Sequence, residues 1–311
     1  MDFLEKFDKQ KLQRITLTVI AALTLIALLL LLAIIVLSVE GNSGRGGIFG
    51  NDDIDIEFED LTVDDSHLSK GSLLLINNDH KYTIPGDLNL ILISEYRDAN
   101  SSDIPYSVLE KYHYKLEAVA TEYAHKMLCD MGKSTGNDDI MITSAFRSYD
   151  DQMVSSASTA AGHSDHHSGM LICIKGSNGA LAEENLAWLE KNADKYGFVV
   201  RYPEDKAEIT GVPDYTQAYR YVGVAHAKYI KDNNLCLEEY VEYLKNNTSY
   251  NEPLSITVSD DSVYYVYYTE ASSGDVIKVP AKTANPDGSM NFDYTISGTN
   301  DGGVVVTVKV K

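Results

Sequence analysis

The sequence predicts an α+β fold with a membrane helix before it and a small all-β module behind it. Three observations carry that prediction. Between residues 67 and 249, strand-like apolar runs and amphipathic helical stretches follow one another in mixed order, without the regular strand–helix alternation of a parallel sheet. Near the N-terminus, "ITLTVIAALTLIALLLLLAIIVLSV", Ile15 to Val39, is an apolar run without charge, Gly or Pro. After "NEPLS", short segments rich in β-branched and aromatic residues alternate with Gly, Asn and Asp turns.

The N-terminal elements divide by charge and hydropathy. A run of roughly 20 apolar residues spans a bilayer core, and Ile15–Val39 exceeds that. It is too long for the apolar region of a cleavable signal and lacks a small-residue cleavage motif. Lys6, Lys9, Lys11 and Arg14 precede it, whereas only Arg45 stands against the acidic stretch that follows. The positive-inside rule then makes residues 1–14 a cytoplasmic tail, 15–39 a single-pass transmembrane helix, and everything beyond extracytoplasmic. Residues 40–66, "GNSGRGG" followed by "NDDIDIEFEDLTVDD", read as an acidic, self-repelling flexible linker.

Composition narrows the function. The chain has 311 residues, 44% of them hydrophobic, and a formal net charge of -20. So acidic a chain does not bind nucleic acid through bulk electrostatics. Its three cysteines, Cys129, Cys173 and Cys236, are odd in number and widely spaced, which is neither a disulfide framework nor a paired-cysteine zinc module.

The central elements follow in order. "SLLLIN" predicts a short strand over Leu73–Ile76. "SVLEKYHYKLEAVATEYAHKMLCDMG" places Leu109, Tyr112, Leu116, Val119, Tyr123, Met127 and Met131 on one helical face, with Gly132 as C-cap. "DIMITSAF" is a buried strand, "EENLAWLEKNADKYG" a helix closed by Gly197, and "FVVRYP" a strand. "AHAKYIKDN" and "LEEYVEYLKNN" are helical. Residues 250–311 supply "SITVS", "SVYYVYYTE", "DVIKVP", "MNFDYTIS" and "GVVVTVKVK" as strands of a module small enough to need a partner surface. The pairs Tyr264/Tyr265 and Tyr267/Tyr268 offer a sugar- or peptide-binding face, but ordinary strand packing is the preferred reading.

"GHSDHHSGMLICI" holds His163, His166 and His167 just before an apolar strand, with Cys173 seven residues beyond His166. A histidine followed at this distance by a carboxylate, and later by another histidine, makes a three-ligand zinc site with an open position for water. "ITSAFRSYDDQ", "GHSDHHSG", "WLEKNADKYGFVVRYPEDKAEITGV" and "YRYVG" together resemble the VanY-type D-alanyl-D-alanine carboxypeptidases, of the lysostaphin, D-Ala-D-Ala peptidase and hedgehog fold group. The likeness runs from about Ser69 to Asn247. It implies a small antiparallel sheet flanked by helices, and an extracytoplasmic zinc enzyme that trims D-alanine from peptidoglycan stem peptides.

Carried over residue by residue, the resemblance is incomplete. The family's serine, histidine and aspartate fall on Ser164, His166 and Cys173, so the aspartate ligand is replaced. Its arginine falls on Arg147, with Gln152 also matching. Its catalytic glutamate and last zinc ligand, just before "YRYVG", fall on Tyr215 and Ala218. Cys173 could serve zinc as a thiolate, yet His167 should point away from His166, and His226 should lie on the next helix. With a reference pKa near 10, a tyrosine is a poor base.

The resemblance therefore leads to a degenerate carboxypeptidase, a pseudoenzyme with no cofactor, that binds stem peptides or a cell-envelope protein through Arg147, Ser164 and Gln152. An ion pair of Arg147 with Asp150 or Asp151 is the competing reading of that arginine. Two alternatives stand beside it: an active zinc D,D-carboxypeptidase remodelled around His166, Cys173 and another histidine, and a non-catalytic interaction scaffold.

Overall fold

In the computed structural model the described residues are 56–101, 106–109, 113–155, 159–213, 215, 217–258, 262–281 and 292–310. The tail and anchor of residues 1–39, and the start of the acidic linker, lie outside them. Among the described residues no helix is long and apolar enough to cross a membrane.

The strands, in chain order, are β1 (Phe58–Thr62), β2 (Leu90–Leu92), β3 (Ser107–Val108), β4 (Lys115–Glu117), β5 (Met141–Ser144), β6 (Leu171–Lys175), β7 (Phe198–Val200) and β8 (Ala218–Tyr221), followed by β9 (Leu254–Thr257), β10 (Val263–Glu270), β11 (Val276–Pro280), β12 (Asp293–Gly298) and β13 (Gly303–Val310). The central sheet has the order β3-β5-β6-β8-β7; β3 runs parallel to β5 and the other pairs are antiparallel. Alternation along β6 sends Ile172 and Ile174 into the core under the helix Ala118–Thr135, and Leu171 and Cys173 to the opposite face. The expected α+β class therefore holds.

Three local expectations change. The long helix begins at Ala118, because Lys115–Glu117 pairs with Leu90–Leu92 as a two-stranded ribbon. It ends four residues later than expected: Gly136, with φ 69°, takes the left-handed cap and donates to Gly132 O. Its buried face is Ala120, Ala124, Met127, Leu128 and Met131, while Val119 is 41% exposed. Leu73–Ile76 is buried as expected but forms no strand. The acidic stretch is not spacer throughout. Phe58–Thr62 pairs antiparallel with Val276–Pro280, and Asp64 caps the short helix Asp65–Ser69.

The C-terminal segments form the strands expected of them; β11 pairs with β1, and the other four make a sheet in the order β12-β13-β10-β9. This sheet shares a core with the domain before it. Val266, Tyr268 and Val305 pack on Ala225, Ile230, Tyr240, Val241 and Leu244 from the helices Val224–Asp232 and Leu237–Asn247. A four-stranded sheet has one face to bury, and these helices cover it. The opening segment of the domain seals the seam. Gly298 N–H donates to Lys70 O (2.8 Å), Leu73 N–H to Ser297 Oγ (2.9 Å) and Leu75 N–H to Thr299 O (2.9 Å). The approach is so close that a Cβ on Gly298 would stand 2.0 Å from Leu68 O.

Beneath the site lies a buried ionic network. Asp165 accepts from Arg201 Nε (2.6 Å) and Arg220 Nη1, and all three side chains are inaccessible to solvent. Arg201 also holds Glu238 through both terminal nitrogens, at 3.0 and 2.7 Å. Arg220 donates to Ser72 O (3.1 Å) and Leu74 O (3.4 Å). Removing one member strands its buried partner. Arg220→Met is expected to lower unfolding free energy by about 3–5 kcal/mol, which chemical denaturation would read as a lower midpoint at similar slope.

Candidate functional site

Two turns and two strands bring the sequence-predicted residues together. Ser164 leads into the 3-10 turn Asp165–Ser168, which Gly169 closes in the left-handed conformation. The turn delivers His166 onto the face of β6 that carries Cys173, and Cys173 stands opposite Ala218 on β8. Arg147 follows β5 and precedes the helix Tyr149–Val154, on which Gln152 sits. Tyr215 N–H donates to Tyr202 O (3.2 Å), and Tyr215 O accepts from Ala218 N–H (3.1 Å), so the tyrosine is held over the end of β8.

His166 is neutral. Burial, with the charge of Arg147 beside it, pushes its pKa down to about 3. Its Nδ1 lies 2.6 Å from Ala145 O, an atom that only accepts, so the proton sits on Nδ1. Nε2 is then an acceptor and faces Cys173 Sγ at 3.9 Å. Burial drives the Cys173 thiol up to about 11, so it keeps its proton and can donate to Nε2. Tyr215, 36% exposed, is pushed up to about 12 by burial and by Cys173, to which its hydroxyl is hydrogen-bonded. The result is a chain from Tyr215 through Cys173 and His166 to Ala145, with every proton assigned. Around it Leu171, Cys173 and Ala218 form a small apolar cluster with Tyr202.

A catalytic zinc needs three protein ligands and an open fourth position. His166 and Cys173 offer two donor atoms at one point, and Ala218 offers a methyl group. The remaining histidines are engaged elsewhere. His163 Nδ1 contacts Asn77 O (2.9 Å). His167 points away, as expected: its Nδ1 contacts Arg147 O (2.7 Å) and its Nε2 accepts from Gly162 N–H (2.9 Å). His226 contacts Tyr240 Oη (2.8 Å) and Thr307 Oγ1 (3.0 Å). Asp165 is held by its two arginines. Among the described residues no group of three or more His, Cys, Asp or Glu is placed to hold a metal ion. The donor set does not fit the zinc that the resemblance implies.

The recognition side is better furnished. Arg147 Nη2 donates to Ser144 Oγ (2.8 Å) and Nη1 to Gln152 Oε1 (3.2 Å). Gln152 is itself fixed by donating to Thr159 O (2.7 Å). The expected alternative, an ion pair with Asp150 or Asp151, does not form, because Asp151 is spent on a capping box with Ser148. Among the described residues the guanidinium bonds two neutral groups and no carboxylate. Its charge reaches His166, Cys173 and Tyr215. Lys175 adds a second cation, 5.9 Å from the centroid of the Tyr215 ring. Ser164 is buried at the head of the turn.

Sequence reasoning missed the members of the ionic network and Ser144. A signal was there: "FVVRYP" and "YRYVG" each set an arginine inside an apolar strand run, where an unpaired charge is untenable.

Residues 152–224 match the family described as VanY, D-alanyl-D-alanine carboxypeptidase. A D-alanyl-D-alanine carboxypeptidase of Enterococcus faecium is 31% identical over 261 residues, which cover 80% of this chain and 79% of that protein. The YodJ protein of Bacillus subtilis (strain 168) is 32% identical over 194 residues, 56% of this chain and 68% of its own. Among solved structures, the vancomycin-resistance D,D-dipeptidase VanXYg, in complex with a D-Ala-D-Ala phosphinate analogue, has a TM-score of 0.65. That likeness covers 81% of this chain and 99% of the other at 22% identity, and bears on the fold alone.

Burial depresses His166, His167 and His226, the first and last to about 3 from 6.5. An unfolded chain binds protons between those values that the folded chain refuses. The stability these neutral rings represent is complete above pH 6.5 and is lost progressively as pH falls toward 3. Thermal midpoints measured from pH 7.5 to 4 should fall, each buried ring steepening the slope by up to about 1.4 kcal/mol per pH unit. His226→Asn should flatten that slope.

Proposed function

Because the chain belongs to the VanY family of D-alanyl-D-alanine carboxypeptidases, we propose that it is a non-hydrolytic member, one that holds the D-alanine end of a peptidoglycan stem peptide without cutting it. One asymmetry supports the reading. The groups that would do chemistry are replaced, by Cys173, Tyr215 and Ala218, while Arg147 and Gln152 match the family and Arg147 is held in place by a cradle of Gln152 and Ser144. A guanidinium has five N–H donors, and the cradle uses two, so a peptide carboxylate can be received as a charge-assisted fork. Hydrolysis would need a base to take a proton from water. A phenol raised to about 12 is already protonated, and losing a positioned base alone costs about 10²–10⁴-fold.

The reading places the domain outside the membrane. Ile15–Val39 is the proposed single-pass anchor, with residues 1–14 in the cytoplasm. A stem peptide is met on that outer side. The active-enzyme alternative requires a third metal ligand near His166 and Cys173, and no described histidine supplies it.

Calorimetric titration of the full chain with a D-Ala-D-Ala-terminated tripeptide tests the proposal. Binding should appear, without released D-alanine even when zinc is added. Arg147→Ala should weaken it by about 10–100-fold, the worth of hydrogen bonds to a charged group. About one tightly held zinc per chain together with D-alanine release would sink the reading. The complementary experiment restores what is missing. Cys173→Asp, Tyr215→Glu and Ala218→His, combined in one chain, should create zinc binding measurable by metal analysis and some D-alanine release. Cys173→Asp or Tyr215→Glu alone should give neither, and Ala218→His alone should bind zinc without D-alanine release, because the general base is still absent.

A further inference from the structure

A cleft of about 450 Å³ separates part of the C-terminal sheet from the family domain. It lies away from the candidate site along the central sheet. Its edge is formed by Met170 and Tyr221, joined by Tyr221 N–H to Met170 O (2.9 Å), whereas Cys173 and Ala218 face each other further along the same two strands.

Strand register builds one wall. Tyr264, Lys309 and Asp293 stand opposite one another on β10, β13 and β12, and so do Val266, Thr307 and Thr295. Side chains two apart share a face, so both rows look the same way. The third row, Tyr268, Val305 and Ser297, is buried where the sheet meets the helices and the Leu73 segment. Where this face leaves the core it turns aromatic and hydroxyl-bearing. The other wall is Val119 and Tyr123 of the long helix with Tyr221. The Tyr123 and Tyr221 rings are 5.4 Å apart and tilted by 35°. Burial first, then Tyr123, the Glu122 carboxylate and Tyr264, raise the Tyr221 hydroxyl, which lies within electrostatic reach of both other phenols. At the back, neutral His226 holds Thr307 Oγ1.

The lining selects a ligand chemistry. Among the described lining residues an anion finds one cation, Lys309, which stands across from Asp293 and 6.0 Å from the Tyr264 ring centroid, in a chain of net charge -20. A lipid tail would lay hydrocarbon against the Thr295 hydroxyl and the phenols that line the cleft, and would offer them no hydrogen-bond partner. A ligand with flat apolar faces and a rim of neutral hydroxyls satisfies both the rings and the hydroxyls. We propose that this cleft binds a neutral saccharide, on the order of a disaccharide for its volume. The inference does not depend on the stem-peptide reading, since it uses none of the residues of that site.

The full chain in lipid nanodiscs can be titrated with N,N′-diacetylchitobiose and with cellobiose, read by calorimetry and saturation-transfer NMR. At least one should bind with a dissociation constant of about 0.1–10 mM. Tyr264→Ala and Tyr123→Ala should each weaken it by about tenfold or more, and Tyr264→Phe by less, because the ring remains. Thermal midpoints near that of the parent chain would establish that the variants fold, and Tyr264→Phe is the test if an alanine variant does not. Failure of both sugars to bind the parent chain at about 20 mM overturns the proposal. So does unchanged binding in the folded alanine variants, or displacement of the sugar by a D-Ala-D-Ala-terminated tripeptide.

Discussion

Asp165 is a carboxylate with no exposed surface, held between two guanidiniums, and the geometry of the site depends on that contact. It belongs to the turn that carries His166. Arg201 comes from the end of β7 and Arg220 from β8, while Glu238 on a later helix balances the second positive charge. Ser72 and Leu74 carbonyls complete the shell. Two anions and two cations so buried would be costly if any lacked a partner. Here each is bonded, and the network joins five separate parts of the chain beneath the site. The scaffold beneath the site is thus held by charge pairing among its own side chains.

The substitutions at the site also have a charge logic. The family's zinc carries two positive charges, and the aspartate and glutamate that resemblance assigns to positions 173 and 215 carry two negative ones. Replacing both carboxylates with a thiol and a phenol, where the ion has no third ligand, removes equal charge of both signs. What remains is a neutral hydrogen-bonded chain, Tyr215 to Cys173 to His166 to Ala145, next to a cation, Arg147. On the proposed non-hydrolytic reading, that environment receives an anion rather than activating water.

The C-terminal sheet contributes to the domain instead of hanging from it. Its inner rows finish the core over two helices, and the Leu68–Ile76 segment is laced to the end of β12 by backbone bonds. Where the sheet extends past that core its face becomes polar and aromatic, and a cleft opens. The β1 strand, drawn from the acidic stretch, ties the entry of the chain to β11. Its acidic residues Glu59 and Asp60 are both exposed, and Asp60 meets Lys278 of β11 at 2.6 Å, so the charge there does not prevent pairing.

Much of this was legible in the order of residues. Hydropathy and periodicity gave the mixed fold, the late helices and the strands after residue 250, because those signals are local. The motif spacing put Ser164, His166, Cys173, Tyr215 and Ala218 at one place, and the replaced side chains were visible by type alone. What the sequence could not decide was anything settled between distant segments. Whether Arg147 meets a carboxylate or two neutral groups depends on Asp151 being used for a helix cap. Where the long helix starts depends on Leu90–Leu92 claiming residues 115–117. The ionic network, the covered face of the terminal sheet and the tyrosine-lined cleft exist only in tertiary contact, because charges and hydroxyls take their partners from whatever the fold brings within about 3 Å.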